Sequence, residues 1–506
     1  MDEGVMGGLA RAVRSDVLRE PFGTSWLSHP NLWFFLQALS LRFFGESVSG
    51  LRTLSALLGT LTVPALYLLG RSLWGRTPAA LAALLLLGSD HAVHFSRLAL
   101  NNVADPLGAT VYFAALTGGL RTGSPLLFAV AGVTLGTVLH CYFGSRLLLV
   151  LTALLGLHAL LTRPRQLLRF RGHLVLLTLG FFLAWAPLLQ HYCLHRGTWS
   201  ERFRAVSIFT CPWDALRPFM ERPLGERLLF HLPNSLGAFT HVPPNAAYDQ
   251  QYNSHRAILN PAAAVLLPLG LALACARIRR IRGFLPLAWT LSTAVFGGLL
   301  LAEPSPPYSN ARYGIALPAL CLLVAWGVER TAALLDPAPA PGRSGRILVA
   351  AALAALLAGL DADFYFRDFV RREDYAWADA SNGVGRALAE HPDRNRLYVY
   401  FFSEPRTLYG NEARVFLAPD VPGTDLPRSP GFPPTLPPLP EGRRPIFFFL
   451  AGREGDLNAV RVLYPEGRVT ERRGGDGRLI YLAYEPERSG RTPAPRDGKG
   501  TGNPTP

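Results

Sequence analysis

SRLLLVLTALLGLHALLT at residues 145–162 runs without an acidic residue, gives way to the arginine-rich RPRQLLRFRG at 163–172, and resumes as HLVLLTLGFFLAWAPLLQHY at 173–192. Each apolar stretch approaches the roughly 20 residues that an α-helix needs to cross a ~30 Å hydrocarbon core. Within such a core the backbone must satisfy its own hydrogen bonds, which selects helix. The guanidinium groups between the stretches then mark one membrane face. An apolar helix, a short basic turn and a returning helix form the unit from which the rest of the chain is read.

Working outward, similar runs occur at 51–70, 78–95, 104–120, 125–143, 258–276, 283–302, 312–330 and 347–361. Together they predict an all-α polytopic membrane bundle of about ten transmembrane helices. Composition agrees: 49% of the 506 residues are hydrophobic and the mean hydropathy is +0.20, despite 42 prolines and 50 basic residues. The formal charge of +14 does not indicate nucleic acid, because the arginines sit at the ends of apolar runs and form no groove-reading or stacking pattern. Lys499 is the only lysine, which reads as a bias of composition. No signal peptide opens the chain, and no GxxxxGK[ST] or Rossmann fingerprint is present.

Charge sets the orientation. The turns at 71–76, 121, 163–171, 277–282 and 330–346 hold fourteen arginines, whereas the short loops of the other set hold only Arg97, Arg146 and Arg312. The positive-inside rule makes the first set cytoplasmic. The chain is therefore expected in the cell (inner) membrane, with its N-terminus, the long loop 193–257 and the C-terminal region outside. The expected organisation is a first outer loop with an interfacial helix at 1–50, a transmembrane domain at 51–361, a small extracytoplasmic α/β domain at 362–487 and a disordered tail at 488–506. RLYVYFF (396–402), PIFFFL (445–450) and RLIYLAYE (478–485) read as its strands, and 374–391 as an amphipathic helix. Cys193 and Cys211 share the long loop and would pair if it faces an oxidising space. No Cys/His spacing suggests a metal, and no cofactor is expected.

The outer arginines carry the chemistry. Arg97 in HFSRLALNN, Arg146 in HCYFGSRLL and Arg312 in PPYSNARYG lie on the side that should be poor in arginine, each beside Ser, Asn or Tyr. Snorkelling to the interface would account for any one of them. A cluster of guanidinium groups at membrane depth would instead hold a lipid phosphate through paired hydrogen bonds. His29, Asn102, Tyr142, His255, Arg256 and Tyr313 are candidate substrate contacts, although a lone His or Tyr at an interface is more often structural. Asp105 opens a helix, where capping or the helix dipole explains it. His241, Tyr248, Asp249 and Tyr252 share the long loop with His255 and Arg256. Asp2 and Glu3 form an acidic pair, ordinary for a solvated terminus but able to take a proton from an attacking hydroxyl or amine.

These stretches, in this order, resemble the dolichyl-phosphate-mannose protein mannosyltransferase superfamily of GT-C glycosyltransferases, which includes the aminoarabinose lipid A transferase. The resemblance rests on Asp2-Glu3 followed by SHPNLWFFLQALSLRFFG (28–45), on GLRTLSALLGTLTVPALYLLGRSLWG (50–75), on HFSRLALNN (94–102), on LGTVLHCYFGSRLLL (135–149), on YSNARYGIALPALCLLVAWGVE (308–329) and on YFRDFVRREDYAWADASNGVGRALAEHP (365–392). It implies a polyprenyl-phosphate sugar lying between helices, with Asp2 as general base, Glu3 its neighbour, and Arg97, Arg146 and Arg312 on the phosphate. Attack would be direct, with inversion at the anomeric carbon. The acceptor would be lipid, protein or glycan.

Two departures stand out. In the family the acidic pair follows a first transmembrane helix, whereas here only Met1 precedes Asp2, so the expectation is a late start or a different active site. Where many members carry an acidic residue after the second-loop Arg, this chain has Asn101 and Asn102, and no tightly bound metal is expected. A lipid or glycolipid transporter and a non-catalytic family member are the competing readings. A transporter would place charges or helix breaks near mid-membrane.

Overall fold

The computed structural model describes residues 2–241, 251–252, 254–302, 310–335, 343–371, 376–404, 407–428, 436–474 and 477–487. The chain divides into two compact units: residues 9–370, and residues 1–8 together with 371–506. Asp2–Arg14 forms α1, whose first residues belong to the smaller unit.

The larger unit is helical. Leu32–Phe44 is α2, Val48–Trp74 α3, Arg76–Gly88 α4, Asp90–Ser96 α5, Ala104–Thr122 α6, Pro125–Val138 α7, Leu147–Thr162 α8, Pro164–Arg169 α9 and Arg171–Leu194 α10. The stretch read as a polar loop at 193–257 builds three further helices: Thr198–Val206 (α11), Arg217–Met220 (α12) and Leu224–Gly237 (α13). Pro261–Cys275 (α14), Ile281–Ala294 (α15), Asn310–Tyr313 (α16), Leu317–Leu335 (α17) and Arg343–Asp363 (α18) complete it. Every apolar run marked in the sequence is helical, and the one at 78–95 is split between α4 and α5. Five helical stretches among the described residues are long and apolar enough to cross a membrane: Val48–Trp74, Phe143–Thr162, Arg171–Leu194, Ala311–Leu335 and Gly345–Arg371. The pair α4 and α5 would make a sixth span, bent by 60° at Ser89. The remaining apolar helices, such as α7 and α14, are shorter, so the structure does not fix the number of crossings at ten.

Local chemistry sets the helix starts. Ser47 caps α3 by accepting from the Gly50 N–H, and Asn260 caps α14 by accepting from the Ala263 N–H, with Pro261 in the first turn. Ala311–Leu335 has 94% of its apolar window buried within the bundle, whereas Arg171–Leu194 has 17%. One is therefore a central helix, and the other presents most of its surface outward, the arrangement for a helix whose outer face meets lipid. Between two apolar helices in lipid, burial supplies little drive and close backbone approach supplies more. Gly132 and Gly136 of α7 provide it. A Cβ at Gly132 would stand 2.0 Å from the Leu177 carbonyl oxygen of α10, and one at Gly136 would stand 2.6 Å from that of Phe181.

The smaller unit is a mixed five-stranded sheet in the order β2-β1-β3-β5-β4, built from Leu397–Phe402 (β1), Gly423–Asp425 (β2), Arg444–Leu450 (β3), Gly467–Arg473 (β4) and Leu479–Pro486 (β5). β1 runs parallel to β2 and β3, and β5 antiparallel to β3 and β4. Period-2 alternation buries both faces. Val399, Phe401, Ile446 and Phe448 lie on one face with Val384 and Leu388 of helix α19 (Ala376–Glu390). Tyr400, Phe402, Phe447 and Phe449 lie on the other with Leu457 and Val460 of α21 (Asp456–Leu463), the short helix α20 (Glu412–Leu417) falling between α19 and α21 in the chain. Within this unit the start of α1 meets α20: a Cβ at Gly4 would stand 2.4 Å from backbone atoms of Glu412 and Ala413, and one at Gly7 would stand 2.4 Å from the Phe416 ring. The strands marked at 396–402, 445–450 and 478–485 are present. β2 has three residues and β4 is polar, and neither carries a strand signature in the sequence. The tail from Arg488 lies outside the described residues.

Candidate functional site

Between α8, α11, the end of α15 and α16 lies a cavity of about 440 Å³ into which Arg146, Arg202 and Arg312 converge. Tyr142, Phe143 and Trp199 line it together with Leu147, Phe203, Phe296 and Ile315. The turn that delivers Tyr142 and Arg146 is fastened by two outside contacts and one bond of its own. The Asn101 side-chain amide donates to the Cys141 carbonyl at 3.0 Å, the Ser145 N–H donates to the Asp105 carboxylate, and the Ser145 hydroxyl donates to the Tyr142 carbonyl at 2.5 Å. Asp105 sits in the first turn of α6 and is 2% exposed, and its structural work is this tether. There is no room beside it, since a Cβ at Gly144 would stand 2.1 Å from its Oδ2.

Arg146 lies flat against Trp199, its guanidinium carbon 3.7 Å from the ring centroid. It donates to the Trp199 carbonyl at 2.6 Å and to the Tyr192 hydroxyl at 3.3 Å. Those bonds fix the plane of the fork and leave others of its five N–H donors for a ligand. His29 closes the aromatic side: it stacks on Trp26 and on Tyr142 and meets Phe143 edge-on. Burial pushes its pKa down from 6.5 to about 4, and the neighbouring Arg202 and Arg146 push the same way. His29 is therefore a neutral ring beside cationic groups. The loop that carries it is unusual, with Asp16, Leu27 and Ser28 all at positive φ, and Ser28 donates from its hydroxyl to the Glu201 carboxylate of α11.

A second cavity, about 370 Å³, lies between α3, α5 and the turn at 101–103, lined by Arg97, Asn102 and His91 with Val63, Leu86 and Leu317. The Asn102 amide donates to the Ala311 carbonyl at 3.4 Å, which ties this turn to the one carrying Arg312. The Arg97 guanidinium donates to the Tyr365 hydroxyl. Asp90, 2% exposed at the bend between α4 and α5, accepts from the His91 N–H at 2.7 Å and from the Tyr252 hydroxyl at 2.9 Å. His94 stacks on Tyr252 with ring centroids 4.2 Å apart, and its Nε2 lies 2.7 Å from the Gln251 carbonyl oxygen. Burial and the adjacent Asp90 carboxylate raise the Tyr252 phenol pKa. This cluster clamps residues 251–252 onto α5. Of its members Asp90 and His91 went unmarked in the sequence. Their only signal was a charged pair inside an apolar run.

The structure thus gathers Tyr142, Arg146 and Arg312 around one cavity, with His29 packed on Tyr142 and Phe143, and Arg97 and Asn102 around a second. His255 is exposed, at φ 53°, and the neighbouring Arg256 guanidinium carbon lies 3.5 Å from the Phe364 ring centroid. Tyr313 is fully buried, packs on Phe239 and donates to the Ser235 carbonyl, so its hydroxyl is already committed. Asp2 and Glu3 open α1 and belong to the smaller unit. Tyr248 and Asp249 lie outside the described residues. Cys193 and Cys211 are both free, one exposed and one buried, which corrects the pairing considered from the sequence. Arg202 was missed because it falls in the long loop, where an arginine carries no topological signal. Among the described residues no group of three or more His, Cys, Asp or Glu side chains converges as a metal site.

The fold, a helical bundle and a small α/β unit, is shared with solved proteins, and part of the chain matches a family model. Residues 28–190 match the family model described as dolichyl-phosphate-mannose-protein mannosyltransferase. Among solved structures the chain is similar to ArnT from Cupriavidus metallidurans in the apo state, with a TM-score of 0.57 and 13% identity, covering 95% of this chain and 92% of that one. The same protein bound to undecaprenyl phosphate aligns with a TM-score of 0.56 and 13% identity over 96% and 93% of the two chains. The Archaeoglobus fulgidus oligosaccharyltransferase in the apo form aligns with a TM-score of 0.44 and 14% identity, over 83% and 60%. No curated protein matches the sequence.

Proposed function

We propose that this chain is a membrane glycosyltransferase that moves a sugar from a polyprenyl-phosphate donor to an acceptor on the extracytoplasmic face of the cell membrane. The observation that carries the reading is the convergence of Arg146, Arg202 and Arg312 on one cavity with apolar and aromatic walls. Guanidinium groups there bind the phosphate and neutralise the charge that grows on it as it leaves, while the apolar wall accommodates the start of the polyprenyl chain. The comparison agrees in kind, since a protein of this fold has been solved with undecaprenyl phosphate bound.

In the reaction an acceptor hydroxyl or amine attacks the anomeric carbon. The bond from that carbon to the phosphate oxygen breaks, its electron pair stays on the phosphate, and the acceptor proton passes to a carboxylate. The resemblance of the opening segment assigns that carboxylate to Asp2, with Glu3 beside it. Arg97 and Asn102 are assigned to the donor through their neighbouring cavity, and His255 and Arg256 to the sugar or acceptor. Charge stabilisation falls to the guanidinium groups, and no cofactor is invoked.

Membranes containing the full chain, supplied with labelled polyprenyl-phosphate hexose and pentose donors and a bacterial acceptor extract, test the reading. Label appearing covalently in the extract, with release of polyprenyl phosphate, is the expected result. The bent α4–α5 pair with buried Asp90 is the feature, among the described residues, that most favours the transporter reading. Asp90 lies only seven residues, about 10 Å of helix, from the outer-end Arg97, which places the bend toward the rim. Labelled lipid that crosses vesicles without any covalent product would overturn the transferase assignment.

A further inference from the structure

A third cavity, about 610 Å³, is at the other end of the bundle. It opens among the late residues of α8 and the first residues of α10 and α15, whereas the Arg146–Arg312 cavity uses the first residues of α8 and the region after α15. Arg121, Arg163, Arg280 and Arg282 line it, and Leu116, Leu155, Phe170, Leu174 and Leu177 supply its apolar wall. The turns that bring the arginines, 119–124, 162–172 and 275–283, and the turn 71–77 at the same end contain no Asp or Glu. Among the described residues none of these four arginines is paired with a carboxylate, and the buried Nε of Arg282 has no hydrogen-bond partner. Four like charges around one hollow repel one another, and one of them carries a buried unsatisfied donor, so the site is built for an anion. The hollow is far larger than a phosphate ion, and its leucines and phenylalanine are built for a hydrocarbon chain.

We propose that this cavity binds a phosphate-bearing anionic glycerophospholipid of the leaflet opposite the transfer site. The inference rests on the membrane-spanning reading and is independent of sugar transfer. The phosphate sits among Arg121, Arg163, Arg280 and Arg282, and an acyl chain enters between α6, α8 and α10. Basic pockets between membrane helices recognise lipid headgroups in this way.

Native mass spectrometry of the full-length protein in neutral detergent tests the site, with dioctanoyl phosphatidylglycerol, dioctanoyl phosphatidylcholine and inorganic phosphate as probes. One saturable phosphatidylglycerol site is expected, with phosphatidylcholine and inorganic phosphate much weaker. Each guanidinium removed should cost about fivefold, so Arg163→Gln/Arg280→Gln/Arg282→Gln should weaken binding about 100-fold. Arg76→Gln, at the same end but outside the cavity, should not. Gly156 lines the cavity and has open space at its Cβ position, so Gly156→Phe should block the acyl chain with every charge kept and the fold intact. That second variant decides the matter if the triple variant fails to fold. Phosphatidylglycerol binding no better than phosphatidylcholine, or binding unmoved by Gly156→Phe, would overturn the proposal and leave the arginines as topology signals only. Inorganic phosphate binding as tightly as the lipid would overturn it in favour of a soluble anion.

Discussion

The two ends of the bundle both place arginines over a cavity, yet they are built differently. At the Arg146 end the guanidinium is laid on Trp199, bonded to a carbonyl and a phenol, and flanked by a neutral His29. At the Arg163 end four arginines meet around leucines with no carboxylate in their own turns. The first arrangement fixes the plane and direction of a cation, which reactions require. The second supplies charge density with little orientation, enough to retain a lipid. Arginine number alone would rank the ends in the reverse of the order proposed for sugar transfer. What separates them is how firmly each guanidinium is held.

The contrast breaks most sharply at the acidic pair. Asp2→Asn should lower sugar transfer by about 10²–10⁴-fold while membrane content and donor binding stay level. Undiminished turnover in a transfer assay would remove Asp2 as the base. Next in size is the firmly held end. Arg146→Ala or Arg312→Ala should each weaken polyprenyl-phosphate binding by about 10- to 100-fold, the worth of charged hydrogen bonds, read by titration of the purified chain.

Two smaller effects probe the scaffold. Gly132→Leu forces a side chain into the Leu177 carbonyl of α10 and should destabilise the bundle by about 1–3 kcal/mol, seen as a lower unfolding midpoint in detergent. Gly144→Ala should instead displace Asp105 and the Tyr142–Arg146 turn, reducing donor binding at nearly constant midpoint. A drop in midpoint as large as that of Gly132→Leu would assign Gly144 to general packing.

The smallest effect is one of pH. His29 has a folded pKa of about 4 against 6.5 ordinarily, so the fold favours its neutral form. Its contribution is present above pH 6.5 and is lost as pH falls from 6.5 toward 4, by at most about 3 kcal/mol. Hydrogen exchange of residues 25–31 should quicken across that window and lose the dependence in His29→Gln. Exchange that is flat with pH in the wild-type chain would show that His29 is not held neutral.

Helices and the Phe-rich strands were legible because their apolar residues recur at a single period: LLLVLTALLGLHALL has no polar face to misread, and LYVYFF alternates into two cores. The three helices inside 193–257 were not, since α11 and α13 are amphipathic, α12 has four residues and Pro233 interrupts α13. The bend at Ser89 was hidden inside one continuous apolar run. At the site, the arginine on the poorly charged side gave away Arg146 and Arg312, but their convergence with Arg202 is a property of tertiary packing that spacing does not encode. Asn101 and Asn102 were read as replacements for an acidic group, and in the structure their amides fasten the turns that carry Tyr142 and Arg312.

Photo-crosslinking with a benzophenone-bearing undecaprenyl phosphate tests the donor-phosphate assignment most directly. Labelled peptides should map to 142–150, 199–207 and 293–301, the walls of the Arg146–Arg312 cavity, and labelling should collapse in Arg146→Ala/Arg312→Ala. Labelling confined to other surfaces, or unchanged in that double variant, would contradict the account.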